Sequence, residues 1–249
     1  MSAEFQWIEE WPAPGICRLA QSRVEAEGTG GGQSPSRPCT IWLLVHANEA
    51  ALIEAPFASE DAAPILERIR SQLEERRLWV KFFSATHLHR GHATGLASVA
   101  QAFPRATFVY PESWLAHRRA LGLGGGPVGA LDPLFDRGLA FSYGSVMEFD
   151  LAGEPVAFIR APYHSPTDQL VVFRGVAIAP DWQLPRAQGE RVEKAQAPEQ
   201  EKRAAMRRVL DFCRGYQIHS YLPAHGNGPL EAGFAERVQT ALDSLRQKD

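Results

Sequence analysis

Residues Trp79 to Leu96 read WVKFFSATHLHRGHATGL. Trp79–Ala85 is short, mostly apolar and aromatic, which is the composition of a buried strand. His87, His89 and His92 follow it within six residues. Residues two apart on an extended chain point to the same side, so His87 and His89 can chelate one ion together. His92 opens the next helix and faces a neighbouring position. Imidazole nitrogen suits zinc, iron and other borderline transition metals. A dense histidine cluster directly after a buried strand therefore reads as a metal site rather than as a set of surface-loop histidines.

Strands and helices surround this stretch on both sides. Upstream, Ile16–Val24 reads as a strand and Thr40–Ile53 as a strand pair. Ser59 is placed to cap a helix running to about Arg77, in which Ile65, Ile69 and Leu73 build an apolar stripe. Downstream come a helix over Thr94–Phe103, a strand over Ala106–Tyr110 and a helix over Glu112–Leu121. Strands over Met147–Leu151, Val156–Arg160, Gln169–Phe173 and Val176–Ala179 follow, the last two divided by a turn at Gly175. A helix over Glu201–Arg214, a strand over Ile218–Leu222 and a helix over Leu230–Arg246 finish the chain. Hairpin-like strand pairs occur in both halves, so the alternation is not the strict one of a doubly wound sheet. The pattern predicts two mixed sheets packed together and covered by helices.

Composition sets the outer bounds. At 249 residues the chain is long enough to bury one large core without disulfides. The stretches Gly28–Pro38, Gly122–Val128 and Leu184–Gln200 read as loops, so a single domain over 1–249 is expected. Cys17, Cys39 and Cys213 are too few and too scattered for a disulfide framework or a CxxC knuckle. The opening MSAEFQWIEEWPAPG has neither the basic nor the apolar region of a signal peptide, and no apolar run approaches the ~18 residues of a membrane span. A cytoplasmic protein is expected. A net charge of −3 offers no global basic field for a phosphate backbone. The basic run Lys202–Arg208 falls on an amphipathic helix and reads as its solvated face. The expected partner is a small-molecule substrate, with no nucleic acid and no membrane, and a homo-oligomer is compatible with the sequence.

The other ligand-type residues also follow strands, where loops usually build sites. His164 lies in APYHSPTD, after the strand ending at Arg160. Asp181 lies just past Val176–Ala179, and His225 lies in LPAHG after the strand ending at Leu222. Singly, each reads as readily as a solvated or capping residue. Together they are a set of ligand-type side chains at the ends of several strands. His46, His117 and His219 match no such position and read as structural.

These segments resemble the metallo-β-lactamase-fold superfamily. The histidine stretch THLHRGHATGL is similar to its His-x-His-x-Asp-His signature. YHSPTDQLVVF, AIAPDW and LPAHG follow in the family's order from about Cys39 to the C-terminus. The resemblance implies an α/β fold, a four-layer αβ/βα sandwich of two mixed β-sheets flanked by helices, with the site at the edge between the sheets. It implies that His87, His89 and His164 bind a first metal. Asp181 would bridge to a second position, with His92 and His225 also pointing there, and would serve the catalysis as well. The usual cofactor implied is zinc, one or two ions, and the usual chemistry is hydrolysis by a metal-acidified water.

One departure matters. The signature's Asp is Gly91 here, and glycine can neither ligate a metal nor orient a nucleophile. A weaker second site, or a mononuclear enzyme, is expected. Asp168 is either a substitute ligand or, as the stronger reading, a turn residue capping the following strand. Arg90 is either a contact for an anionic substrate or a solvated loop residue. Tyr163 is either a pocket residue donating a hydrogen bond or a packed aromatic. Three functions compete. The first is a metal-dependent hydrolase of a small ester, thioester or lactone. The second is a mononuclear iron oxidoreductase resembling the sulfur dioxygenases. The third is a degenerate, non-catalytic member.

Overall fold

The computed structural model describes residues 5–23, 39–57, 62–120, 131–185, 197–224 and 230–246. A seven-stranded sheet takes the strands in chain order: β1 (Phe5–Ala13), β2 (Ile16–Arg23), β3 (Cys39–His46), β4 (Glu49–Ile53), β5 (Trp79–Ser84), β6 (Thr107–Pro111) and β7 (Ala140–Tyr143). β1 to β4 pair antiparallel as hairpins, whereas β4 to β7 pair parallel. The parallel half needs crossovers, which run through α1 (Ala62–Glu75), α2 (Arg90–Ala93), α3 (Leu96–Ala102), α4 (Ser113–Ala120) and α5 (Asp132–Asp136). The second sheet has six strands in the order β13-β12-β11-β10-β9-β8. These are β8 (Val146–Leu151), β9 (Glu154–Arg160), β10 (Gln169–Phe173), β11 (Val176–Ala179), β12 (Ser220–Pro223) and β13 (Glu231–Ala232). Helices α6 (Glu199–Gly215) and α7 (Phe234–Arg246) belong to this half.

The period-2 alternation of strand side chains explains why there are four layers. In β3, Ile41 and Leu43 join the core under the first sheet's helices, while Trp42 and Leu44 face the second sheet. In β10, Leu170 and Val172 pack toward α6 and α7, while Val171 and Phe173 face the first sheet. Strands that bury both faces must be apolar throughout, and β4, β10 and β11 are almost entirely so. The inter-sheet core is filled by Trp42, Phe82, Phe158, Phe173 and their neighbours. The long helices α1 and α6 each contribute an apolar stripe: Ile65, Ile69 and Leu73 from α1, and Met206, Val209 and Cys213 from α6.

The expected elements recur with shifted ends. The residues expected to cap α1 lie outside the described residues, as do most of the three glycine-rich or polar loops. The helix expected from Leu230 starts at Phe234, because Glu231 and Ala232 are drawn into the sheet opposite Tyr221 and Ser220. The strand expected from Ile218 starts at Ser220, because the Ile218 N–H closes the end of α6 on the Cys213 carbonyl. β1, α5 and β7 were not anticipated. Pro12 lies in the irregular stretch of β1 between Glu10 and Ala13, at the sheet edge, where a missing N–H breaks no ladder. The turn expected at Gly175 is present: Arg174 and Gly175 both take positive φ, 51° and 73°, as a two-residue hairpin of the primed type requires.

Candidate metal centre

The parallel strands deliver their following residues to one edge. β4 runs into Glu54 and β5 into Thr86–His92 on the first sheet. β9 leads to the 161–168 loop with His164, and β11 to Asp181, on the second. The two groups meet across the sandwich.

His87 Nε2 lies 3.1 Å from His89 Nδ1, and His164 Nε2 lies 3.1 Å from that same His89 atom. Two ligands of a tetrahedral ion at ~2.05 Å stand roughly 3.3 Å apart, so this spacing fits one cation held by three imidazoles. A second group joins His87, His92 and Asp181, all ligand atoms within 4.8 Å of one another. Asp181 links the groups: Oδ1 is 3.4 Å from His92 Nε2 and Oδ2 is 4.0 Å from His164 Nε2. The structure therefore brings together His87, His89, His92, His164 and Asp181. His225 lies outside the described residues, as does the side chain of His117.

The protonation states favour a cation at the first group. Burial holds His87 well below the usual imidazole range, and the neighbouring His92 adds to it. Burial, then His164, lowers His89 as well. Neutral imidazole is the ligating form. His92 behaves oppositely: burial works downward, but Glu54 and Asp181 outweigh it and hold the ring at about 10. A second cation bound there would take the place of that proton. The donor set, three neutral imidazoles plus a fourth beside a carboxylate, fits one or two zinc- or iron-type ions.

The residues behind the ligands are fixed by buried polar contacts. Thr167 Oγ1 accepts from the Leu88 N–H at 3.2 Å, and the Gln169 N–H donates to the Thr86 carbonyl at 2.8 Å. Gln169 also donates to Ser84 Oγ, and its carbonyl oxygen accepts from the Tyr143 hydroxyl. These bonds tie the histidine loop of one sheet to the histidine loop of the other. Gly95 lets α3 start close behind: a Cβ there would sit 2.5 Å from the Phe57 ring.

The alternatives left open by the sequence resolve unevenly. Asp168 is fully buried and committed to its own turn. Its Oδ2 accepts from the N–H groups of Tyr163, at 3.2 Å, and Ser165, at 3.0 Å, and from the Trp182 indole at 2.9 Å. Its Oδ1 accepts from the Ser165 hydroxyl. It is the turn residue, not a ligand. Burial pushes its carboxyl up to about 6 against these donors. Tyr163 is buried and packs on Trp182 with ring centroids 5.4 Å apart. Arg90 is exposed at the start of α2, and Gly91 beside it is exposed too. His46 pairs with Arg174, and His219 with Ser220, away from the cluster. In the basic run on α6, Arg203 binds Glu199 and the Leu245 carbonyl, and Arg208 binds the Arg160 carbonyl.

Sequence reading missed Glu54, Thr167 and Gln169. Glu54 is fully buried, with Oε2 3.1 Å from His92 Nδ1 and Oε1 accepting the Thr86 N–H at 3.0 Å. The signal was available: a lone carboxylate closes the apolar run AALI, just as Asp181 follows VAIA.

The architecture and the histidine cluster at its edge together define the class: the chain has the metallo-β-lactamase fold. Among solved structures it is similar to a metallo-β-lactamase from Pontibacter korlensis, with a TM-score of 0.62 at 14% identity over 97% of this chain and 99% of that one. It is equally similar to a metallo-β-lactamase from Pseudomonas aeruginosa in its mono-zinc form, with a TM-score of 0.61 at 14% identity over 97% and 96%. A flavo di-iron protein variant from Thermotoga maritima shares the fold at a TM-score of 0.60 and 9% identity, over 98% of this chain and 62% of that one. No protein-family model matches the sequence, and no curated protein matches it. Among the described residues, no helix is long and apolar enough to cross a membrane.

Proposed function

We propose that this chain is a metal-dependent hydrolase that uses a metal-activated water on a small ester, thioester or lactone. The observation that carries the reading is the convergence of the His87, His89 and His164 ring nitrogens beside Asp181. A zinc-type ion, when bound, supplies a water of near-neutral pKa and polarises the substrate oxygen. His87, His89 and His164 would hold it, and His92 and Asp181 border the position for a second, to which the family resemblance would add His225. Asp181 is one-fifth exposed and stands between His92 and His164, so its carboxylate can orient the attacking water and hold its proton. The buried rings of His87 and His92 close the back of the site to solvent. Arg90, exposed on the same segment, would meet an anionic group on the substrate.

Metal content is the deciding measurement, taken by elemental analysis after aerobic and after anaerobic preparation. One or two zinc ions per chain, with turnover in an ester, thioester and lactone panel, is the expected result. Turnover retained in His87→Ala would sink the metal-water mechanism. Gly91, which removes a carboxylate from the second position, favours a second reading, the mononuclear iron oxidoreductase. One iron per chain with oxygen consumption on persulfides selects it. A chain that takes up neither metal is a degenerate binding protein.

A further inference from the structure

Gly91 leaves the second cation position one carboxylate short, yet a carboxylate stands directly behind His92. Glu54 directly follows β4 and is wholly buried. Its side chain spans two partners on the histidine loop: Oε2 lies 3.1 Å from His92 Nδ1, and Oε1 accepts the Thr86 N–H at 3.0 Å. Its backbone is fixed by the same loop. The Glu54 N–H donates to the Ser84 carbonyl at 2.9 Å, and the next N–H, of Ala55, donates to the His92 carbonyl at 2.8 Å. The residue is held at a φ of 78°, a region L side chains rarely adopt. Such strain persists only where the surroundings over-determine it, and it gathers at functional sites.

We propose that Glu54 is a positioning residue for the second cation, which holds His92 in its ligating tautomer and supplies from behind the negative charge that Gly91 does not. The chemistry is direct. A carboxylate only accepts, so His92 Nδ1 must carry the proton that lies between them. Nε2 is then left with its lone pair, and it faces Asp181 Oδ1 at 3.4 Å. A carboxylate hydrogen-bonded to the far nitrogen of a ligating imidazole fixes the ring and raises its basicity. Asp181 in front and Glu54 behind then make two carboxylates for two divalent ions. The ligand class is a divalent transition cation, and the inference rests on the metal-centre reading above.

The test is a zinc titration of the metal-stripped full chain, by calorimetry and by equilibrium dialysis with elemental analysis. The wild type should take two equivalents, the second weaker. Glu54→Gln should leave the first unchanged and weaken the second by about 10- to 100-fold. Its amide cannot accept from Thr86 and from His92 with one oxygen without presenting a donor to one of them. Gly91→Asp added to Glu54→Gln should restore part of the second affinity, which a merely structural defect would not allow. Nitrogen-15 NMR of His92 in the zinc-loaded wild type should show Nδ1–H, and this holds even if the Gln variant fails to fold. An Nε2–H tautomer there overturns the proposal. So does an unchanged second equivalent in Glu54→Gln, or an equal loss of both. A wild type that binds only one ion also overturns it while leaving a mononuclear hydrolase standing. A wild type that binds none removes the metal-centre reading itself.

Discussion

Single residues decide how the site edge holds together, and Asp168 makes the clearest case. It gathers four donors into the buried turn between β9 and β10 that carries His164 toward the cluster. Asp168→Ala strands those donors away from water and should cost about 3 kcal/mol or more in denaturant unfolding. Asp168→Asn keeps an oxygen for the Tyr163, Ser165 and Trp182 N–H groups and lets the Ser165 hydroxyl turn to accept, so it should cost far less. The pH dependence has a definite sign. The carboxyl is raised from 3.8 to about 6 in the fold, so the folded state binds the extra proton between those values. Stability contributed by Asp168 is therefore full below about 4 and falls as pH rises toward 6. The advantage of wild type over Asp168→Asn should shrink across that window. A gap that widens with pH would show the carboxylate to be the favoured form. The sequence placed Asp168 in this turn correctly because an Asp just before a strand start has a local job. It could not show the indole of Trp182 arriving from fourteen residues away, which is what buries the group.

At the scale of elements, the two histidine loops are held in register by few contacts, and Thr167 carries one of them. Its hydroxyl accepts the Leu88 N–H between His87 and His89, while its carbonyl accepts the Trp114 indole from α4. Thr167→Val keeps the shape and the carbonyl but leaves the Leu88 N–H without its acceptor. We expect a loss of about 1–3 kcal/mol in stability and of roughly 10-fold in affinity for the first metal equivalent. Thr167→Ser should recover most of both. Zinc affinity unchanged in Thr167→Val would mean that the chelate loop is positioned by its other ties, such as Gln169. The histidines themselves were legible because their density and place after a buried strand leave few other readings. The residues behind them were not, since Thr167, Gln169 and Glu54 acquire meaning only when strands distant in sequence are brought side by side. The same limit explains β1 and β7: their propensities are mixed, and both are recruited as edges of a sheet whose centre is already specified. Burial also decides the chemistry of isolated residues. Desolvation raises the Cys17 thiol to about 12 and Cys213 to about 11. Neither should react with an alkylating reagent at pH 8 until the chain unfolds, and rapid native labelling of either would contradict its placement.

For the whole molecule, the ligands are divided between the two sheets. His87, His89 and His92 ride on the first, and His164 and Asp181 on the second. A bound ion is thus a further cross-link between two layers that also meet through the apolar inter-sheet core, the Gln169 and Thr167 contacts, and polar pairs such as Lys81 with Asp150. Binding to the folded state alone stabilises by about 2.7 kcal/mol at a free-ion concentration of 100 times Kd. For a chain of this size that is roughly 5–10 °C in Tm. Stripping the metal with a chelator should lower Tm by that amount in scanning calorimetry, and zinc should restore it. If the ion bridges the sheets, no subset of ligands from one sheet suffices to bind it tightly. His87→Ala and His164→Ala, although on different sheets, should then each abolish the part of the zinc-dependent increment that belongs to the first equivalent. The two variants need not be equally stable without zinc, because His87 is buried and His164 is partly exposed. The comparison therefore rests on the increment, measured for each variant against its own metal-free form. An increment lost in His87→Ala but kept in His164→Ala would place the ion on the histidine loop of the first sheet alone, and the cross-link would not exist.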